Sequence, residues 1–365
     1  MCYDSCPQAR GNAAGMRGFA VARLRETGVA AFGLLVSAVS LVLVVRSVDV
    51  AAAGRIVAGA AIGPLIVAMA IFLVGVALRF VIWRTLLPPR ADGSRVSAGR
   101  LAPILMVGLL GNAVLPARLG EVIRAYLVSR RENVALGGAL GSIALERVVD
   151  TAMLAMMAFV AAVAAGAAVW MVRGTGLLAA AGVVVLVALA TTGLRPFMGL
   201  LTRLSAIHAL EAPLGAVGRR LERFVHWSGG SHRRRAMGIT MCLSGAAWLC
   251  NAAMFGLVGQ SVGASISPVD ALLIMAITVL STAIPSAPAY VGTYELAAVT
   301  VATSLGVPPE TALALAVLSH VLGLLPTAIG GSAALAYLGG GLRGISATAV
   351  EEGRVHAANP HSIDT

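Results

Sequence analysis

The chain has 365 residues, of which 58% are apolar and only 12% charged, with a mean hydropathy of +0.90. Soluble domains carry ~45–50% apolar and ~25% charged residues, so this composition excludes a water-soluble globular protein and points to an all-α, polytopic membrane protein. The net charge is +11, but the arginines lie in short stretches between apolar runs, which argues against a nucleic-acid partner. All 27 basic residues are arginine, which excludes lysine nucleophiles and Schiff-base chemistry. The four cysteines, Cys2, Cys6, Cys242 and Cys250, have no metal-ligand spacing, and no metal or cofactor is expected.

A bilayer core of ~30 Å needs about 20 apolar helical residues. In chain order, the candidate spans are Val29–Val45, Ile62–Ile82, Val148–Trp170, Leu177–Leu194, Ile239–Gly259 and Thr311–Leu338. Arg10, Arg17, Arg23 and Arg25 place the tail 1–28 in the cytoplasm, as do Arg84, Arg90, Arg95 and Arg100 after the second span. The basic segment 195–238, with Arg233–Arg235, also belongs there. It reads as amphipathic helices against anionic lipid, and its histidines His208, His226 and His232 lack ligand spacing. The connections Met171–Gly176 and Gln260–Asp270 hold one arginine, Arg173, and belong outside. The expected layout is a cytoplasmic tail at 1–28, a membrane domain at 29–338 and a second cytoplasmic tail at 339–365 of a multi-pass protein of the cell membrane.

Two stretches break the simple pattern. Leu101–Arg131 joins LAPILMVGLLGNAVLP to the charged ARLGEVIRAYLVSRR, and Asp270–Leu305 joins ALLIMAITVLSTAI to AYVGTYELAAVTVATSL through Pro285 and Pro288. Each apolar arm is short for a crossing, and proline stops or bends the helix. The charges fit either two re-entrant helical hairpins, entering from opposite faces, or two full crossings each. The short arms favour re-entrant hairpins. A span, a broken hairpin and a further span thus occur twice in opposite orientation, as in an inverted repeat. Glu121 to Glu146 and Glu295 to His320 share a spacing of 25 residues. Transporters of this kind bind substrate where half-helices end near the midplane.

The hairpins and the helices after them carry ionisable groups into the apolar zone. A helix starting near Val134 brings Glu146 about 18 Å inward at ~1.5 Å per residue. Arg147 is its neighbour and Asp150 lies one turn on. Arg118, Glu121 and Arg124 occupy the first hairpin, Glu295 the second, and His320 the helix after it. A charge facing lipid costs ~2.5–3.5 kcal/mol or more at the bilayer centre, so these groups must pair, face inward or line a wet cavity. Three readings stand: a structural ion-pair network that fixes helix register, a later helix start that leaves Glu146–Asp150 at the cytoplasmic interface, or a polar site for a charged substrate group. Asn112 reads as a hydrogen-bonding group at the first hinge. Tyr290 and Tyr294 are either headgroup-level anchors or hydroxyl donors to a phosphate.

The strings GNAVLPARLGEVIRAYLVSRR, SIALERVVD and IPSAPAYVGTYELA resemble the lysylphosphatidylglycerol synthase transmembrane-region family, the flippase-like membrane proteins. Asn112, Pro116, Arg118, Gly120, Glu121 and Arg124 match its first motif, Glu146 and Arg147 its second, and Pro285, Gly292 and Glu295 its third; the resemblance runs over roughly residues 30 to 340. It departs in two places. Ala287-Pro288-Ala289 replaces part of a turn that usually holds a glycine pair, and His320 stands where relatives often carry arginine. An unperturbed histidine titrates near ~6.5, so that charge is expected to depend on pH.

The resemblance implies a helical bundle that handles lipids, in the best-known members moving an aminoacylated phospholipid between leaflets. In those members a soluble aminoacyltransferase domain is fused to the membrane part. Here the 27 residues after Leu338 and the 44 of segment 195–238 are too short for one, so the chain by itself is not expected to be an enzyme. The expected function is a translocase for a lipid or lipid-linked substrate: an anionic or aminoacylated phospholipid, or a polyprenyl-linked lipid. The alternative is an accessory subunit that presents lipid-linked substrate to a separate lipid-modifying enzyme. The expected substrate-binding residues are Asn112, Arg118, Glu121, Arg124, Glu146, Arg147, Asp150, Tyr290, Tyr294, Glu295 and His320, with Pro116, Gly120, Pro285, Pro288 and Gly292 as hinges.

Overall fold

The computed structural model describes residues 31–115, 118–192 and 231–339. The tails, most of the basic segment 195–238 and Pro116 lie outside them. All regular structure among the described residues is helical: α1 (Ala31–Ser47), α2 (Val50–Ala58), α3 (Ile62–Leu86), α4 (Ala98–Val114), α5 (Leu119–Glu132), α6 (Leu136–Ala164), α7 (Val169–Thr192), α8 (Ser231–Ser261), α9 (Pro268–Ser281), a single 3-10 turn (Pro288–Tyr290), α10 (Thr293–Ser304) and α11 (Pro309–Tyr337). The chain is a multi-pass membrane protein. Five of these helices are long and apolar enough to cross a bilayer, and the bent pair α1–α2 makes a sixth candidate.

The helices form for reasons visible in their side chains. α3 is apolar all round, and Ile66, Val67, Leu73 and Val74 stay exposed on it. Such a surface is stable only against lipid. α1 meets α2 at 86°; Asp49 ends the first and caps the second, accepting the Ala52 N–H at 3.0 Å. α9 opens with a reciprocal capping box between Ser267 and Asp270 behind Pro268, the arrangement that satisfies orphan amide groups at a helix start.

Three placements differ from the expectation read off the apolar runs and charges. The span expected at Val148–Trp170 belongs to a helix that begins at Leu136 and ends at Ala164. The Glu146–Arg147–Asp150 cluster depresses local hydropathy without breaking the helix, because each of its charges finds a partner. The connection expected at Met171–Gly176 lies inside α7, and the chain turns earlier, at 165–168, where Gly166 has φ +61°. Residues 231–238, expected with the basic segment, open α8.

Helices in lipid gain little from hydrophobic association, so close approach of small residues holds them together. In the first hairpin, α4 and α5, a Cβ added at Gly120 would sit 2.0 Å from the Gly108 carbonyl oxygen and 2.4 Å from the Asn112 amide nitrogen. Only glycine lets the two arms close. α3 packs most extensively on α8, α4 packs on both α5 and α11, and α9 packs on both α10 and α6. The largest buried cluster, including Leu154, Phe255, Ile274, Met275, Val301 and Leu315, joins α6, α8, α9, α10 and α11. A second, around Trp83, Leu101, Ile104, Val128 and Ile143, seats the first hairpin on α3 and α6.

At the end of that hairpin Arg90 and Arg100 both reach the buried carboxylate of Glu132, and Arg131 donates to the Leu338 carbonyl. The loop after α3 and the end of α11 are thereby fixed to α5. Between the two clusters the helices stay apart and leave a polar cavity.

Candidate functional site

The cavity has a volume of about 340 Å³ and lies between α3, α4, α5, α6, α8 and the end of the second hairpin. Asn112, Arg118, Glu121, Arg124, Glu146, Arg147, Asp150 and Tyr290, all expected from sequence, line it, as does Gly120.

Glu146 is the centre of the charge network. It is buried, 3% exposed, and accepts from Arg124 Nη2 at 2.9 Å and from Arg147 Nη2 at 2.6 Å. Arg124 is held flat over the Trp83 ring, its guanidinium carbon 4.4 Å from the centroid, a favourable stacking geometry. Arg147 also reaches Asp150 at 3.5 Å and Glu121 at 3.5 Å. The contact to Glu121 is close enough for an ion pair but not aligned as a hydrogen bond.

Asp150 is the second buried acceptor. Arg79 Nη1 and Ser244 Oγ each donate to it at 2.6 Å, and Trp248 donates its indole N–H to the Asp150 carbonyl at 3.2 Å. Arg79 in turn lies over the Trp248 ring at 4.2 Å. Sequence reasoning missed Arg79, Ser244 and Trp248. The signal for Arg79 was present: it is a lone arginine inside the most apolar span, where an ionisable residue is a functional or pairing site by default.

Arg79 changes the charge balance. The sequence residues alone summed to −1 with His320 neutral, but the cavity itself carries four guanidiniums (Arg79, Arg118, Arg124, Arg147) against three carboxylates (Glu121, Glu146, Asp150). One positive charge is in excess. Arg118 accounts for it: its one hydrogen bond runs from Nη2 to Thr282 Oγ1 on the second hairpin, at 3.0 Å, and no carboxylate among the described residues pairs with it. Arg118 precedes α5 with φ +55°, a left-handed conformation uncommon for a residue with a side chain.

Tyr294, Glu295 and His320 do not line this cavity. They form a separate buried cluster behind the second hairpin. Glu295 Oε2 accepts the Gly292 N–H at 2.7 Å, and Oε1 lies 2.6 Å from His320 Nδ1. The Tyr294 ring stacks on His320 at 4.1 Å and its hydroxyl reaches Ser319 at 3.3 Å. Glu295 thus caps its own helix and ties it to α11. The 25-residue spacing gives a direct contact in this half; in the other half Arg147 stands between Glu121 and Glu146.

Beyond Arg118 a second lobe, about 420 Å³, is walled by Leu34, Leu115, Ile284, Pro285 and Pro288. The two lobes share Asn112, Arg118, Ala283 and Tyr290. The turn that closes this lobe places Ala289 at φ +57° and Tyr290 at φ +59°; these are the positions near which the resemblance implies a glycine pair. α1 is clasped against the same turn: Ser37 Oγ accepts the Ala287 N–H at 2.8 Å, and a Cβ on Gly292 (φ +93°) would lie 2.5 Å from the Ser37 carbonyl oxygen.

An arginine-rich chamber thus lies among helices long and apolar enough to cross a membrane, in a multi-pass membrane protein. The family model for the lysylphosphatidylglycerol synthase TM region matches residues 30–331, and the chain belongs to that family. It is also similar to a protein named glycosyltransferase AglD from Haloferax volcanii, 28% identical over 355 residues. The match covers 88% of this chain and 55% of that protein, so the chain spans about half the length of this curated relative. No solved structure matches it.

Proposed function

We propose that the chain translocates a lipid or lipid-linked substrate across the cell membrane, taking the polar headgroup into the arginine-rich cavity while the hydrocarbon chains stay in lipid. The observation that carries this reading is a pair of adjacent cavities that share Arg118 and Asn112 in their linings, one holding the ionisable cluster and the other walled mainly by apolar residues. An amphiphile matches that division, and leaving its chains in the bilayer removes most of the desolvation cost of transfer. Fixed ion pairs around Glu146 and Asp150 act as a preformed polar lining, so headgroup groups exchange water for oriented charges rather than for hydrocarbon. The two hairpins are read as re-entrant, since α4, α5, α9 and α10 have 17, 14, 14 and 12 residues, short of the about 20 needed to cross. Their crosswise packing, α4 on α11 and α9 on α6, fits an inverted repeat.

A second reading follows from the relative named as a glycosyltransferase, of which this region covers about half. In that reading the membrane domain holds a lipid-linked sugar for a separate enzyme and does not move it. Proteoliposomes containing a labelled phospholipid separate the two. Leaflet exchange above the empty-vesicle rate that falls with Arg118→Ala supports translocation; exchange at the empty-vesicle rate supports presentation; a chemically altered lipid would mean an enzyme. Orientation is tested by cysteine accessibility. With both termini cytoplasmic, positions near Arg95 label from the cytoplasm and positions near Pro308 from outside; labelling of Pro308→Cys from the cytoplasm alone refutes it.

A further inference from the structure

We infer that the site selects a net-anionic, hydroxyl-bearing lipid headgroup, with the phosphate on Arg118 and the hydrocarbon leaving through the apolar lobe, and that it disfavours net-cationic aminoacylated headgroups. This inference rests on the cavity being a lipid site.

The argument is one of residual capacity. Every carboxylate in the cavity already faces a guanidinium: Glu146 faces two, Asp150 faces Arg79 and Arg147, and Glu121 faces Arg147. Among the guanidiniums Arg118 alone faces a neutral oxygen, that of Thr282. A monoanion brings the chamber to neutrality, whereas a headgroup of net charge +1 doubles its excess in a region of low dielectric. A guanidinium also grips a phosphate with paired, charge-assisted hydrogen bonds that a hydroxyl such as that of Thr282 does not match.

The hydroxyl preference follows from the acceptor left open. Asn112 lines both lobes, but its Oδ1 is buried against Gly120 without a hydrogen-bond partner. Glu121 makes only the misaligned contact to Arg147. It lines the cavity with its side chain 21% exposed, so its carboxylate keeps acceptor capacity that a headgroup hydroxyl can fill.

The lipid character follows from the second lobe. Leu34 and Ile284 line it and are 57% and 49% exposed on the outer surface. With both residues half exposed, a chain attached to a phosphate on Arg118 has an apolar route past them.

The test is equilibrium binding to the purified full chain in detergent, with phosphatidylglycerol, phosphatidylcholine, lysyl-phosphatidylglycerol and inorganic phosphate as probes. Phosphatidylglycerol is expected to bind about tenfold or more tightly than lysyl-phosphatidylglycerol, the worth of one charge-assisted contact. Arg118→Ala abolishes that preference and Arg118→Lys, which keeps the charge, restores part of it. Equal or tighter binding of lysyl-phosphatidylglycerol by the wild-type chain overturns the inference, whatever the variants do. So does inorganic phosphate competing at the same concentration as phosphatidylglycerol, since the apolar lobe would then contribute nothing. Leaflet exchange is scored separately. Selective binding with exchange at the empty-vesicle rate refutes translocation and leaves the selectivity standing; exchange of the cationic lipid in preference to the anionic one refutes the selectivity and leaves translocation standing.

Discussion

Glu146 offers the sharpest test of the charge network. Its carboxylate is 3% exposed and takes hydrogen bonds from two guanidiniums, at 2.9 and 2.6 Å. Replacing it by glutamine keeps the shape and one acceptor oxygen but removes the charge that compensates Arg124 and Arg147. Opposite charges at ~4 Å interact by roughly 4 kcal/mol at an effective dielectric of ~20. The desolvation penalty offsets part of that in the intact pair, but it is not recovered when one partner is removed, and such losses run ~3–5 kcal/mol. Glu121 is the internal control: its side chain is 21% exposed, and its nearest cation is Arg147 Nε at 3.5 Å. Losing a partly hydrated, misaligned contact costs about 1 kcal/mol or less. With about 2 °C of melting shift per kcal/mol, Glu146→Gln lowers the melting temperature by about 6–10 °C and Glu121→Gln by about 2 °C or less. Scanning fluorimetry in one detergent at neutral pH measures both. Equal shifts would refute the ranking and with it the placement of Glu146 at the centre of the network. The pair Arg124→Met and Glu146→Met together should restore part of the lost stability, because two apolar groups leave no orphaned charge.

Gly120→Ala is expected to prevent the first hairpin from closing, since the new methyl would lie 2.0 Å from the Gly108 carbonyl oxygen, whereas Gly99→Ala meets nothing within 4 Å; size-exclusion profiles should show aggregation for the first and a normal peak for the second. Ala289→Gly should raise the melting temperature by about 1–2 °C, because relief of a left-handed alanine, ~1–2 kcal/mol, outweighs the added chain entropy of ~0.4–1 kcal/mol; a fall would show that φ +57° at this turn is not strained. Gly33→Leu should loosen α1 from the turn, since even a Cβ at 33 lies 3.0 Å from the Ser286 carbonyl oxygen; an unchanged melting temperature would place α1 elsewhere.

The spans were legible because each is a long apolar run, and helix is the one open-ended structure lipid tolerates. The broken hairpins were legible through Pro285, Pro288 and the short arms. What hydropathy hid was polar content inside helices. α6 starts at Leu136, close to the helix start near Val134 that placed Glu146 inside, and twelve residues before the apolar run at Val148, because an average over Glu146, Arg147 and Asp150 registers their charges and not their partners. Arg79 was passed over for the opposite reason: its apolar surroundings within a 25-residue helix swamped its charge. Counting Arg79 and finding Glu295 outside the cavity together turn the sum from −1 to +1. The 25-residue spacing, read as a sign of an inverted repeat, corresponds to a direct contact between Glu295 and His320, at 2.6 Å, but in the other half it separates two like charges with Arg147 between them. The clasp between α1 and the turn before α10 left no trace in the sequence, since Gly33, Ser37 and Gly292 act through the backbone approach that their small size permits.

The division of labour inside the cavity follows from where charge is balanced. α6 contributes Glu146, Arg147 and Asp150, and all three are engaged with Arg124, Arg79, Ser244 or one another. Charges so engaged are costly to disturb, so α6 with α3 and α8 forms a stiff polar wall. Unused capacity lies on the first hairpin instead: the guanidinium of Arg118, the second oxygen of Glu121 and the Asn112 amide oxygen. Arg118 also links the first hairpin to Thr282 on the other hairpin. An anion competing for Arg118 offers a stronger, charge-assisted bond than the Thr282 hydroxyl does. Binding at this residue therefore acts on the contact between the two hairpins, while the wall behind them stays fixed by pairs that no ligand needs to break.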